Sequence, residues 1–173
     1  MQLSRDTVEQ IKELTVLASK PGVRYRNYAL VTPNQRVMYD VSAYVGDVLG
    51  GEVLDILDDS LAHGDLLAVS PMDLISWIGA RIRDRAPRCL LHVDAVLSTW
   101  RNAGDHRVWW EQLSMVEAPC PLFVPTARVE IAEVTARWLK VGTFYEDTSR
   151  VDVYAPRASS HLDHLLQPQE VYP

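Results

Sequence analysis

Two segments carry residue types that could do chemistry. Cys89-Leu90-Leu91-His92-Val93-Asp94 is a hydrophobic stretch ending in an acid, an arrangement that can set a carboxylate beside a Mg²⁺ bridging nucleotide phosphates. The alternative role for Asp94 is structural, since an Asp at the end of a strand often caps the next turn or helix. The second segment, Tyr28-Ala29-Leu30-Val31-Thr32-Pro33-Asn34-Gln35-Arg36-Val37, has the form of a strand, a tight loop and a helix start. A phosphate cradle at such a junction needs glycines, for close backbone approach, and a lysine. This junction has neither, and Pro33 removes a donor. What remains is a weak anion site at Asn34, Gln35 and Arg36, where a helix N-terminus meets one cation. With Asp94 these residues form the candidate cofactor set; no cofactor is the first expectation, and ATP or GTP with Mg²⁺ the alternative.

Other clusters have plainer readings. Asp58, Asp59, His63 and Asp65 could offer oxygen and nitrogen donors to a divalent cation, but a solvated turn accounts for them without a recognised ligand spacing. His161, Asp163 and His164 lie in a polar tail. Ser159-Ser160-His161 is a tail tripeptide rather than a triad, and Glu130 and Glu133 read as solvent-facing charge. There is no G-x-S-x-G elbow, Cys89 and Cys120 read as small core residues, and His92 reads as a hydrogen-bonded core histidine within a buried strand. Arg81, Arg85 and Arg88, with Arg83, make the densest basic cluster, either complementing a helix C-terminus or docking an acidic partner. Trp109 and Trp110 are adjacent, so on one helix at least one of them is expected to be partly exposed. With Arg107 they form a candidate partner-binding surface, the alternative being cover by another part of the chain.

The elements that must position these residues follow from periodicity. An amphipathic helix is predicted over residues 4–20, with Ser4 as N-cap and Pro21-Gly22 as stop. Strands are predicted at Tyr28 to Thr32, Glu52 to Leu57, Arg88 to Asp94, Pro121 to Val124 and Arg150 to Tyr154, with a further apolar run at Leu66 to Val69. Helices are expected from Val37 to Leu49, from Ser70-Pro71 through Ile82, from Asp105 to Val116, and from Val129 to Leu139. The expected architecture is a three-layer α/β fold, a mainly parallel sheet of about five strands flanked by helices. It would occupy residues 1–156 as a single domain, with 157–173 as a polar C-terminal arm. Ligands in such sheets bind beyond the carboxyl ends of strands, which directs attention to residues 32–36, 57–65, 94–105 and 125–128.

Composition narrows the function classes. Across 173 residues, 17 Lys plus Arg stand against 23 Asp plus Glu, a formal charge of -6, which disfavours a broad electrostatic grip on nucleic acid. The opening Met1-Gln2-Leu3-Ser4-Arg5-Asp6 is polar rather than a signal h-region, no run is apolar enough to span a bilayer, and a cytoplasmic protein is expected. Two cysteines in apolar contexts provide neither a disulfide framework nor a metal clamp.

In its order of elements, with the acid-ended Leu90 to Asp94 and the short apolar strand Pro121 to Pro125, the chain resembles a RecA/AAA-type P-loop core over about residues 25–156. Within that superfamily it is most similar to the small P-loop-like accessory proteins of BREX-type bacterial phage-defence systems. The resemblance implies a P-loop NTPase-like fold that here lacks the Walker A motif. It also implies a noncatalytic subunit or adaptor that binds other protein subunits, touches nucleic acid only indirectly and has no membrane partner. The alternatives are a divergent nucleotide-binding enzyme or switch, with Arg36 on phosphate and Asp94 on Mg²⁺, and a DNA-binding accessory protein using Arg81 to Arg88.

Overall fold

The computed structural model describes residues 3–19, 27–48, 50–57, 69–118, 120–128, 131, 134 and 137–157. The acidic loop at Asp58, Asp59, His63 and Asp65, the stop at Pro21-Gly22, Glu130, Glu133 and the tail with Ser159, Ser160, His161, Asp163 and His164 lie outside them. Among the described residues six strands form one sheet: β1 (Asn27–Val31), β2 (Val53–Asp55), β3 (Cys89–Leu91), β4 (Leu122–Thr126), β5 (Trp138–Glu146) and β6 (Ser149–Pro156). Five helices among these residues are interleaved with them: α1 (Arg5–Ser19), α2 (Gln35–Asp47), α3 (Pro71–Arg85), α4 (Val93–Leu97) and α5 (Ala103–Ser114).

The sheet order is β2-β3-β4-β1-β6-β5. β2, β3, β4 and β1 run parallel, while β6 pairs antiparallel with β1 and β5 antiparallel with β6. The fold is therefore α/β, and the sheet is mixed: the parallel part expected is there in four strands, with two antiparallel strands added at one edge. The difference comes from a hairpin hidden in the sequence. Leu139 reads as the end of a helix, yet Trp138 and Leu139 open the nine-residue edge strand β5. Its residues 140–143 are all exposed and a bulge at Lys140/Gly142 shifts its register, so the inward positions do not alternate as a strand's should. The Asp147-Thr148 turn, with Asp147 at φ 53°, then carries the chain into β6.

Side-chain alternation along the strands separates two cores. Ala29, Leu54, Leu90, Leu122 and Val124 face Leu74, Ile78 and Ile82 of α3, Val93, Val96 and Leu97 of α4, and Trp109, Trp110 and Leu113 of α5. Tyr28, Leu30, Cys89, Phe123, Val151 and Val153 face Ile11 of α1 and Val37, Val41 and Val45 of α2. Three layers result, helices on both faces of the sheet.

Local chemistry sets the helix starts. The side chain of Asn34 accepts the Arg36 N–H, that of Ser70 the Asp73 N–H ahead of Pro71, and that of Asn102 the Gly104 N–H. Ser4 Oγ accepts the Thr7 N–H at 3.3 Å, as its expected capping role requires. α1 is also held by an acid from the far end of the chain. Glu146, 3% exposed, accepts the Ser4 N–H at 2.8 and 3.0 Å and the Thr7 hydroxyl at 2.6 Å, a carboxylate set against a helix N-terminus.

The adjacent tryptophans correct an expectation. Trp109 and Trp110 are both 0% exposed. A helix exposes one of two adjacent residues only if one side of it is open, and α5 is covered on both. Trp109 meets Trp100 at a ring-centroid distance of 6.3 Å, and Trp110 meets Trp138 at 5.9 Å, with the Trp138 indole N–H donating to the Trp110 carbonyl at 2.6 Å. The pair is core, and the docking surface expected there is not on the outside of the fold.

Trp110→Ala should destabilise the protein by about 3–5 kcal/mol through the cavity it leaves, read as a lowered urea midpoint with an unchanged m-value. Glu146 gives a second expectation. Burial acts to raise its carboxyl, but the bonds from Thr7 and Ser4, with Arg36 nearby, more than offset that and hold it below the usual 4.5. A depressed folded value contributes stability above the ordinary carboxylate range that is lost as pH falls through the folded value. Glu146→Gln should flatten the fall in urea midpoint between about pH 5 and about pH 3; a variant curve as steep as the wild type would assign the acid sensitivity elsewhere.

Candidate functional site

The chain leaves β1 through α2 on one face of the sheet. It leaves the neighbouring β4 toward the other face, where Ile131 and Val134 join the core of α3, α4 and α5. Adjacent parallel strands whose connections diverge leave a crevice at their carboxyl ends, the usual ligand position in open α/β sheets. A cleft of about 320 Å³ opens there. Gln35, Met38 and Tyr39 of α2 form one wall, and Leu91, His92, Asp94, Ala95 and Ser98 with Pro125 of β4 form the rest.

At its edge three side chains from three elements are joined in line. Asp55 ends β2, His92 follows β3, and Tyr39 lies in the first half of α2. His92 Nδ1 stands 2.7 Å from Asp55 Oδ1, and His92 Nε2 stands 2.6 Å from the Tyr39 hydroxyl. An ionised carboxylate only accepts, so Nδ1 carries the proton toward Asp55; in the tautomer that leaves Nε2 bare, that nitrogen accepts from the Tyr39 O–H. Asp55 Oδ1 also accepts the Leu57 N–H at 3.0 Å, which fixes the acid's orientation. His92 sits at φ 65°, ψ 26°, a left-handed conformation that non-glycine residues adopt at some cost. That turn ends β3 early and overturns the expectation of a core histidine: the ring is half-buried at the cleft, not sealed in the sheet.

The same turn relocates Asp94. The expected strand Arg88 to Asp94 is only Cys89–Leu91, and Asp94 belongs to the first turn of α4. Its Oδ1 accepts the Thr126 hydroxyl at 2.5 Å and its Oδ2 the Ala127 N–H at 2.7 Å, so each carboxylate oxygen is bonded to the end of β4. Thr126 Oγ1 accepts the Arg128 N–H in turn. The role is structural but is not the capping of the next turn or helix weighed against metal binding: α4 starts after His92 with no side-chain cap bond, and Asp94 reaches across to the end of β4 instead.

Gln35 and Asp94 thus share the cleft, whereas Asn34 and Arg36 do not line it. Asn34 caps α2 with its oxygen and donates through Nδ2 to Ser149 at 2.7 Å, and Arg36 Nη2 reaches Asp147 of the hairpin turn at 3.5 Å. The arginine cluster is spread out. Arg81 lies over the Trp77 ring at 4.7 Å, Arg85 pairs with Glu52, and the stem of Arg88 lies where a Cβ on Gly51 would be. Arg107 is exposed on α5. Cys89 is fully buried, and burial, partly opposed by the Ser42 contact, pushes its thiol up to about 12, which removes it as a nucleophile near neutral pH. Among the described residues no three His, Cys, Asp or Glu side chains are grouped to hold a metal ion, and no helix is long and apolar enough to cross a membrane.

No protein-family model, curated protein or solved structure matches the chain.

Sequence reasoning missed Asp55, His92 and Tyr39 as a group because it ended β2 and β3 two or three residues late. Searching the carboxyl ends with the shorter strands would have reached both Asp55 and His92. Asp94→Ala should cost about 1.5–3 kcal/mol, the magnitude of hydrogen bonds to a charged group, measured by chemical denaturation; loss below about 0.5 kcal/mol would deny Asp94 its role in holding β4 to α4.

Proposed function

We propose that this chain is a P-loop-like subunit, noncatalytic toward nucleotide, that works as an adaptor within a multi-protein bacterial system of the phage-defence type its resemblance implies. One observation carries the reading: the junction after β1 is closed on itself. Thr32 Oγ1 accepts the Asn34 N–H at 3.3 Å, Asn34 Oδ1 accepts the Arg36 N–H at 3.0 Å, and Pro33 has no N–H. The donors a phosphate would take at the start of α2 are thus partly satisfied from within. Arg36 and Asp94, the residues a nucleotide switch would use, are engaged with Asp147 and with Thr126 and Ala127. A DNA-binding role for Arg81 to Arg88 is weakened by the use of Arg81 and Arg85 against Trp77 and Glu52.

The adaptor role rests on the resemblance, and the surface that docks partners must lie elsewhere than at Trp109 and Trp110. Thermal melts with ATP, GTP and their Mg²⁺ complexes should show no saturable shift, since only a ligand that binds the native state raises its melting temperature. A saturable shift that Asp94→Asn abolishes would replace the adaptor with a nucleotide switch. Co-expression with the products of neighbouring genes should give a complex that co-elutes on size exclusion. Elution of the chain alone from every such mixture would count against the adaptor.

A further inference from the structure

We propose that Tyr39 is a nucleophile activated by the His92–Asp55 pair, and that the cleft beside it takes an uncharged acyl donor such as an ester. This goes beyond the adaptor reading and does not rest on it. The arrangement has the three parts that activate a hydroxyl: a nucleophile within 2.6 Å of an imidazole nitrogen, a base, and a carboxylate 2.7 Å from the opposite ring nitrogen that fixes the tautomer. Geometry alone separates it from an incidental contact. Three independent elements, β2, the β3 end and α2, converge to make it, and the middle residue is held in a left-handed conformation at the carboxyl edge of the sheet. Tyr39 is 49% exposed and lines the cleft, so its side chain can be reached from solvent.

The lining selects the substrate class. No Lys or Arg lines the cleft among the described residues, and Asp94 adds negative charge, which disfavours phosphate and carboxylate ligands; Met38, Leu91, Ala95 and Pro125 suit an uncharged group. In the reaction Tyr39 Oη forms a bond to the acyl carbon as its proton passes to His92 Nε2, with Asp55 stabilising the imidazolium through Nδ1–H. The bond to the leaving oxygen breaks, and that oxygen takes the proton from Nε2. Gln35, one helical turn before Tyr39 on the same wall, is the lining carboxamide that would donate an N–H to the developing oxyanion.

The test uses the full chain with 4-nitrophenyl acetate, following acetylation of each tyrosine by peptide mass spectrometry. Tyr145, 55% exposed on β5, is the internal reference because its accessibility is similar. In the wild type Tyr39 should acetylate at least about tenfold faster than Tyr145, a modest part of what a positioned general base supplies. His92→Gln and Asp55→Asn should bring Tyr39 down toward the Tyr145 rate while leaving Tyr145 unchanged. Equal rates at Tyr39 and Tyr145 in the wild type would overturn the proposal without recourse to any variant. So would acetyl found on His92 in place of Tyr39, or a Tyr39 rate indifferent to His92→Gln in a variant whose Tyr145 rate and melting temperature are retained.

Discussion

The parallel pairing of β1 with β4, from Asn27↔Leu122 to Val31↔Thr126, is the constraint on which the rest depends. Both strands are buried almost throughout, so each must present apolar side chains to both faces, and each face must be covered by helices. Tyr28 stacks on Phe123 on one side, while Ala29 and Val124 face the other. Once the two strands are paired, the chain leaving β1 takes one face and the chain leaving β4 the other. The cleft at their carboxyl ends is therefore a consequence of the connectivity. Its two sides come from α2, which follows β1, and from α4, which follows β3.

The tryptophan row shows how the second face is completed. Trp100, Trp109, Trp110 and Trp138 follow one another with centroid separations of 6.3, 5.9 and 5.9 Å, at tilted or edge-on angles of the kind aromatic pairs favour. The row links the loop before α5, α5 itself and the first residue of β5. It thereby ties the antiparallel hairpin to the parallel part of the sheet. Two of its polar edges are anchored, Trp100 to the Val69 carbonyl at 2.7 Å and Trp138 to the Trp110 carbonyl. The indole N–H groups of Trp109 and Trp110 are buried without an acceptor among the described residues.

How far the sequence could be read depended on whether local and tertiary signals agreed. Ser4, Ser70-Pro71 and the period of Val37, Val41 and Val45 located the starts of α1, α3 and α2 to within a residue or two, because caps and apolar stripes are local. β5 was not legible: Glu146 faces inward as an anchor for α1, and four successive exposed residues erase the alternation that marks a strand. Trp109-Trp110 misled for the opposite reason. Helical geometry alone exposes one of them, whereas Trp100 covers Trp109 and the return of the chain at Trp138 covers Trp110. At the site, Gln35 and Asp94 were legible from the rule that ligands gather at strand ends, whereas the Asp55–His92–Tyr39 line was not. It depends on where two strands stop, and strand ends are set by backbone turns that side-chain periodicity does not report.

His92 shows why that stop matters. A continuous strand through Asp94 would place His92 and Asp94 on one face of the sheet, two residues apart, with alternate side chains aligned. The left-handed turn at His92 instead separates their tasks: His92 turns to Asp55 and Tyr39, and Asp94, now in α4, turns to Thr126 and Ala127. A residue in that conformation carries a cost of about 1–3 kcal/mol, so surrounding contacts must hold it there. Two side-chain hydrogen bonds on the ring, the Asp94 bonds two residues on and the buried Val93 at the start of α4 do so from separate directions. The strain and the polar contacts are thus one arrangement. Relaxing the turn would break the line from Asp55 to Tyr39 and release the end of β4 together, which makes the backbone at His92 the point where the fold and the cleft are set jointly.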